Sequence, residues 1–241
     1  MTASRAAGPG WGLIYDPALV ADPAPTLLDP AAWKDQHTGA AGRGRGGVTF
    51  VSAPGGEWAI RHYRRGGLFG RLVRDHYLWT GDERTRSWSE WRMLEALRAR
   101  GLPVPRPVAA LFRRSGLLYT ADIATVRIPY AEPLSARLAG AGPDAQPWAV
   151  IGRTIAGFHA AGAFHPDLNA HNILVDAAGQ PWLIDFDKGK FRSEGDWRRS
   201  NLQRLERSLH KIAAEPGAPP FSAEGWNALV EGYAEGGAGL R

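Results

Sequence analysis

The chain has 241 residues, 44% of them hydrophobic and ten of them tryptophan, which is enough apolar mass for a core and excludes wholesale disorder. Cysteine is absent, so disulfide scaffolds, thiolate zinc sites and cysteine nucleophiles are excluded, and no apolar run approaches the roughly 18 residues of a membrane span. The net charge of +5 calls for an anionic partner: nucleic acid, phosphate groups or an acidic membrane surface.

Residues 1–38 are rich in Ala and Pro, without steady periodicity, and read as an irregular segment partly anchored by Trp11, Leu13 and Tyr15. No signal-peptide pattern is visible there, so a cytoplasmic location is expected. A glycine-rich loop follows at 39–47, then two strands at 48–53 and 57–63 around Pro54-Gly55-Gly56, a hairpin signal. In the second strand Trp58 and Ile60 share one face, Ala59 and Arg61 the other. Five arginines and no acid lie in 61–74, expected to be a turn and a short helix. A helix is predicted over 87–100, stopped by Gly101 and Pro103, then a strand over 117–123. The stripe of Trp148, Ile151, Ile155 and Phe158 predicts a helix over 144–161, stopped by Gly162. Short strands are expected at 172–175 and 182–186, a basic amphipathic helix at 197–214, and a last helix near 222–234. Strands first and helices later suggest an α+β protein with a small sheet lobe and a helical lobe.

The chemistry concentrates in His165-Pro-Asp167-Leu-Asn-Ala-His171-Asn172 and in Leu183-Ile-Asp185-Phe-Asp187. Asp167 and Asn172 are five apart, and Asp185 lies thirteen further on. This spacing resembles the catalytic loop and metal-binding motif of the protein-kinase-like fold, with Asp187 where glycine is usual. Phosphoryl transfer needs metal ions to neutralise phosphate charge and a carboxylate beside the acceptor hydroxyl. Hard oxygens suit Mg²⁺. The resemblance implies Asp167 as the base, Asn172 and Asp185 as metal ligands, and ATP and Mg²⁺ as cofactors.

Gly42, Gly44 and Gly47 match a phosphate-covering G-x-G-x-x-G ahead of a strand. The position of the family's strand lysine holds Arg61, and no lysine occurs between 35 and 187. Its helix partner is expected to be Glu90, with Glu95 second, although Ser87-x-x-Glu90 also reads as a capping box. His165 matches a scaffold position. His171 points either to solvent or to substrate. Arg64, Arg65, His171 and Lys188 are further candidates for substrate or anion contact.

A closer resemblance covers about 40–211. Its residues are Gly44-Arg-Gly46, the Arg61-His-Tyr-Arg-Arg-Gly-Gly stretch, Gly101-Leu-Pro-Val-Pro105, Tyr119-x-x-Asp-Ile123, the two catalytic motifs, and Asn201-Leu-x-Arg-Leu-x-Arg-Ser-Leu-x-Lys211. Together they resemble the 3-deoxy-D-manno-octulosonic acid (Kdo) kinases of lipopolysaccharide biosynthesis. The resemblance implies a bilobal fold, with an N-lobe at 39–122 and a C-lobe at 123–241. It implies phosphorylation of the 4-hydroxyl of Kdo on a Kdo–lipid A precursor at the cytoplasmic face of the inner membrane, with the protein held peripherally. The arginines of 61–74 and 198–211 would then meet anionic headgroups, and nucleic acid is not expected as a partner. A heptose kinase of the same pathway or an antibiotic-type phosphotransferase shares the catalytic loop and stays open. Only 56 residues follow Asp185, so a peptide-docking platform is not expected.

Overall fold

The computed structural model describes residues 3–41, 47–64, 75–140 and 146–237. Gly42, Gly44, Arg65 and most of the predicted turn and helix at 61–74 lie outside these residues. The chain divides into two units, Met1–Glu95 with Pro105–Arg127, and Ala96–Val104 with Ile128–Arg241.

The first unit is built on one antiparallel sheet. Its strands are β1 (Ser4–Gly8), β2 (Trp11–Tyr15), β3 (His37–Ala41), β4 (Val48–Ala53), β5 (Gly56–His62), β6 (Tyr77–Leu78), β7 (Pro107–Ser115) and β8 (Leu118–Val126), with helix α1 (Arg86–Ala99) between β6 and β7. The spatial order is β1-β2-β7-β8-β5-β4-β3, and β6 pairs with the start of β8. The predicted hairpin is β4 and β5, with Ala53 opposite Gly56. Trp58 and Ile60 are buried, as the alternation requires, in a cluster with Leu13, Val51, Val108 and Leu111.

Residues 1–38, expected to be irregular, instead supply the two strands β1 and β2. The turn signal was present: Pro9-Gly10 links them, and Gly10 has φ 76°, the conformation a type II turn asks of its third residue. What was hidden is the partner. Trp11–Tyr15 pairs with Ala109–Arg113, almost 100 residues later. A buried ion pair fixes this attachment, as Arg106 Nε donates to Asp16 at 2.8 Å and Asp16 is 1% exposed. The strand predicted at 117–123 runs on to Val126.

Among its described residues the second unit carries short strands and four helices: β9 (Glu132–Pro133), α2 (Leu134–Gly140), α3 (Trp148–Ala160), β10 (Ala163–Phe164), β11 (Ile173–Val175), β12 (Pro181–Leu183), β13 (Lys190–Phe191), α4 (Trp197–Ala213) and α5 (Ala223–Glu235). The α3 stripe is buried as its period demands. Helices α3 and α5 meet backbone to backbone, because Gly152 faces Leu229 and Gly232 faces Ala149. A Cβ on Gly152 would lie 2.0 Å from the Leu229 carbonyl oxygen. Together the units have the mixed α+β content of a kinase-like bilobal fold. Among the described residues no helix is long and apolar enough to cross a membrane.

His159, on α3, is 1% exposed, and its Nδ1 lies 2.9 Å from the Tyr233 hydroxyl on α5. Burial lowers its pKa from the ordinary 6.5 to about 4, against an opposing contribution from Asn201. Between those values the unfolded chain holds a proton that the folded chain does not. Stability therefore falls as pH drops through this window, by about 3 kcal/mol in all. Unfolding free energies measured from pH 7 to pH 4 are expected to show this acid limb, and His159→Gln is expected to flatten it.

Candidate active site

The loop between β10 and β11 is organised by one ring. His165 is 1% exposed, and burial, the largest influence on it, lowers its pKa and keeps the ring neutral. Its Nδ1 accepts the Asp167 N–H at 3.1 Å, so Nε2 carries the proton and donates to the Ile184 carbonyl at 2.9 Å. The Asn201 amide on α4 donates to the His165 carbonyl at 2.9 Å. The scaffold role expected of His165 is the one its contacts describe.

Asp167 is thereby held by its own backbone while its side chain stays 61% exposed. Its carbonyl accepts Nδ2 of Asn172 at 2.9 Å and of Asn169 at 3.1 Å. The bond from Asn172 orients its amide. Asn169 Oδ1 in turn accepts the backbone N–H groups of His171 and Asn172, at 2.8 and 3.2 Å.

Asn172 leads into the β11–β12 hairpin, where Ile173 faces Leu183. The ladder continues outward, as the Ile184 N–H donates to the Asn172 carbonyl at 3.1 Å. Asp185 comes next, at φ 62°, a left-handed conformation that costs a non-glycine residue about 1 kcal/mol or more. Its neighbours enforce it. Ile184 is bonded on both its polar groups, and Phe186 is fully buried between Phe158 (5.7 Å between ring centres) and His165 (4.7 Å). The hairpin thus brings Asn172 and Asp185 together. Asp187, in place of the usual glycine, opens a turn that closes with the Gly189 N–H on the Phe186 carbonyl at 2.7 Å. Lys188, within that turn, is exposed at φ 62°.

In the first unit, Arg61 and Tyr63 project from the same side of the β5 chain toward α1. Arg61 Nη2 donates to both Glu90 oxygens, at 2.7 and 2.6 Å, and the Tyr63 hydroxyl donates to Oε2. The Arg61 guanidinium also lies over the Tyr63 ring, 4.6 Å from its centre. Glu90 is 3% exposed. The partner of Arg61 is therefore Glu90. The capping-box alternative is overturned, because Ser87 lies inside α1 and its hydroxyl donates to the Leu111 carbonyl on β7 at 2.9 Å. Gly47 borders open space, and Arg64 is exposed.

A cavity of about 490 Å³ opens beside Asp167, lined also by Asn169, His171, Arg204, Arg207 and Lys211. Arg204 Nη1 donates to Asp167 Oδ1 at 3.0 Å.

Two comparisons place this arrangement. Residues 31–233 match the lipopolysaccharide kinase (Kdo/WaaP) family. The chain is 46% identical over 209 residues to a 3-deoxy-D-manno-octulosonic acid kinase of Xanthomonas oryzae pv. oryzae, covering 85% of this chain and 83% of that one. It is 48% identical over 190 residues to a kinase of the same name from Stenotrophomonas maltophilia, covering 78% and 76%. The chain belongs to the lipopolysaccharide kinase (Kdo/WaaP) family.

As a member of the Kdo/WaaP family the protein is a kinase, and its motif residues divide between the two units. Arg61 and Glu90 belong to the first; Asp167, Asn172 and Asp185 belong to the second. Arg204, Arg207 and Lys211 stand in the Asn201–Lys211 stretch expected to meet anionic groups, but the cavity they share with Asp167 was not foreseen. A signal existed, since positions i, i+3 and i+7 share one side of a helix, away from the buried Leu202, Leu205 and Leu209. Arg198 heads the same basic run but is 8% exposed, donates to the His159 carbonyl at 3.0 Å and pairs with Glu194 at 3.1 Å, so it braces α4.

Removing one partner of a buried ion pair strands the other, at about 3–5 kcal/mol. Arg61→Ala, which strands the 3%-exposed Glu90 carboxylate, is expected to destabilise the protein by that order in urea unfolding followed by tryptophan fluorescence. Tyr63→Phe, which removes the hydroxyl that donates to Glu90 and leaves the ion pair, is expected to cost less, about 1 kcal/mol.

Proposed function

We propose that the chain transfers the γ-phosphate of ATP to the 4-hydroxyl of Kdo on a Kdo–lipid A precursor, Kdo–lipid IVA. The observation that carries this reading is the exposed Asp167 carboxylate, held by its backbone at the mouth of a cationic cavity, with Asn172 and Asp185 hinged beside it. The names of the relatives supply the sugar.

The roles follow from the contacts. The acceptor hydroxyl gives its proton to Asp167 as its oxygen bonds the γ-phosphorus. The bond from that phosphorus to the β,γ-bridging oxygen breaks, and the electron pair leaves with ADP. The donor set suits Mg²⁺: Asn172 offers an oriented amide oxygen and Asp185 a carboxylate, both hard ligands, with phosphate and water completing the shell. Such an ion would neutralise phosphate charge during transfer. Arg61, fixed by Glu90, is assigned to the α- and β-phosphates, with Gly42, Gly44 and Gly47 covering them. Arg64, Arg65, His171 and Lys188 are assigned to substrate or anion contact, and of these His171 lines the cavity. A core heptose kinase is the second reading, since it shares the loop; the cationic cavity favours an acidic sugar.

Purified protein with ATP, Mg²⁺ and Kdo–lipid A precursor is expected to add one phosphate by mass. Transfer to a heptosylated core and none to this acceptor overturns the assignment. Asp167→Ala is expected to lower transfer by about two to four orders of magnitude, as loss of a general base does, with ATP affinity retained.

We place the enzyme at the cytoplasmic face of the inner membrane, attached peripherally through its arginines to anionic lipid. An exposed apolar tip of Leu78, Leu117 and Leu118, beside Trp79 under the Arg114 guanidinium at 3.7 Å, suits the same interface. Binding to phosphatidylglycerol vesicles is expected to weaken as salt rises. Binding indifferent to salt argues against electrostatic attachment.

A further inference from the structure

We propose that Arg204, Arg207 and Lys211 form an acceptor-anion subsite, and that Arg204 ties this subsite to the base by holding Asp167 and an acidic group of the acceptor at the same time. The proposal rests on Asp167 being the base and deepens the reading above.

The geometry starts at the Arg204–Asp167 contact. A guanidinium has five donors in a rigid planar fork. Arg204 gives one, Nη1, to Asp167 Oδ1 at 3.0 Å. Both side chains are open to solvent, Arg204 at 49% and Asp167 at 61%, and both line the same cavity. An exposed ion pair is worth little by itself. As a stabilising contact it is therefore weak, but as a bridge it is well placed. The remaining donors of the fork can take a second anion, and Asp167 keeps Oδ2 for the hydroxyl.

Helix α4 extends the subsite. Lys211 is two helical turns beyond Arg204, about 10 Å along the axis, and Arg207 lies between. All three line the cavity, and Glu215, beyond the helix end, lines it too. The positive field is thus bounded by Asp167 at one end and Glu215 at the other. His171 is the remaining titratable group lining it.

This arrangement defines an acceptor class. One acidic group must sit within about one sugar ring of the phosphorylated hydroxyl, because a single guanidinium spans both contacts. A second, further along the molecule, meets Arg207 and Lys211. In the reading above the first is the Kdo carboxylate and the second a phosphate of the lipid precursor.

The test compares Kdo–lipid A precursor with its carboxyl-reduced analogue. Wild-type enzyme is expected to show a KM about tenfold higher for the analogue, the order of one charge-assisted contact. Arg204→Ala is expected to raise KM for the natural acceptor similarly, to erase the difference between acceptors, and to lower kcat several-fold through loss of base positioning. Arg204→Lys is expected to recover KM in part but not kcat, because an ammonium is a point charge that cannot serve as a fork. Arg207→Ala and Lys211→Ala are expected to raise KM and keep the carboxylate preference. ATP KM and thermal midpoint, unchanged in Arg204→Ala, mark the effect as local. A variant lacking Arg204 that still prefers the carboxylate, or keeps wild-type kcat, overturns the proposal. If wild-type enzyme phosphorylates neither acceptor, it is the substrate reading that fails. Inorganic phosphate titrated against the ADP–Mg²⁺-saturated protein then decides the subsite: about tenfold weaker binding in an Arg204→Ala/Arg207→Ala double variant supports it, and equal binding overturns it.

Discussion

A single neutral imidazole holds the reacting loop in place. His165 accepts the backbone N–H of Asp167 on one nitrogen and donates to the Ile184 carbonyl from the other. Protonation would remove the first contact, so the arrangement works only if the ring stays uncharged, and burial ensures that. From this ring the other positions follow. The Asp167 carbonyl sets the Asn172 amide, the Asn172 carbonyl takes the Ile184 N–H, and the bonded Ile184 leaves Asp185 to make the left-handed step. The three polar residues of the motif are spread over nineteen positions of chain and are tied to one backbone network by a buried histidine.

Two arginine–carboxylate pairs serve opposite purposes because their burial differs. Glu90 is 3% exposed and is met by a guanidinium and a phenol, so its charge is compensated from two directions. Breaking such a pair leaves a buried charge, which makes it a rigid fixture of the sheet–helix contact. The Arg204–Asp167 pair is half solvated on both sides. Its net contribution to stability is small, so it can be shared with, or exchanged for, an incoming anion. The fold buries the carboxylate that holds Arg61 and leaves the Arg204–Asp167 pair open to solvent.

The legible part of this protein was local. Helical stripes at Trp148, Ile151, Ile155 and Phe158, the hairpin at Pro54-Gly55-Gly56, and the motif around Asp167 each carry their signal within a few residues. The Arg61–Glu90 pair was also legible, through family spacing. What was not legible depends on distant pairing. Ser4–Gly8 has no β-branched residue, and its strand character comes from Trp11–Tyr15, which in turn leans on Ala109–Arg113. Reading Pro9-Gly10 as a turn would have exposed the hairpin but not its place in the sheet. Arg204 lay in a run recognised as basic, yet its contact with Asp167 spans 37 residues and no periodicity reports it.

Several arginines are engaged within the fold. Arg106 is spent on Asp16, Arg113 on Asp122, Arg127 on Glu57 and Arg153 on Glu235, all within the fold. Arg61 is held by Glu90, and Arg198 serves the His159 carbonyl. Arg204, Arg207 and Lys211 differ from these in lining an open cavity beside the exposed Asp167 carboxylate, the proposed base. A cation placed there by stability alone would be better buried or better paired. Its position instead answers to a ligand that brings its own negative charge, and the helix that carries it is braced from behind by Arg198 and Asn201 so that three cations meet that ligand in fixed order.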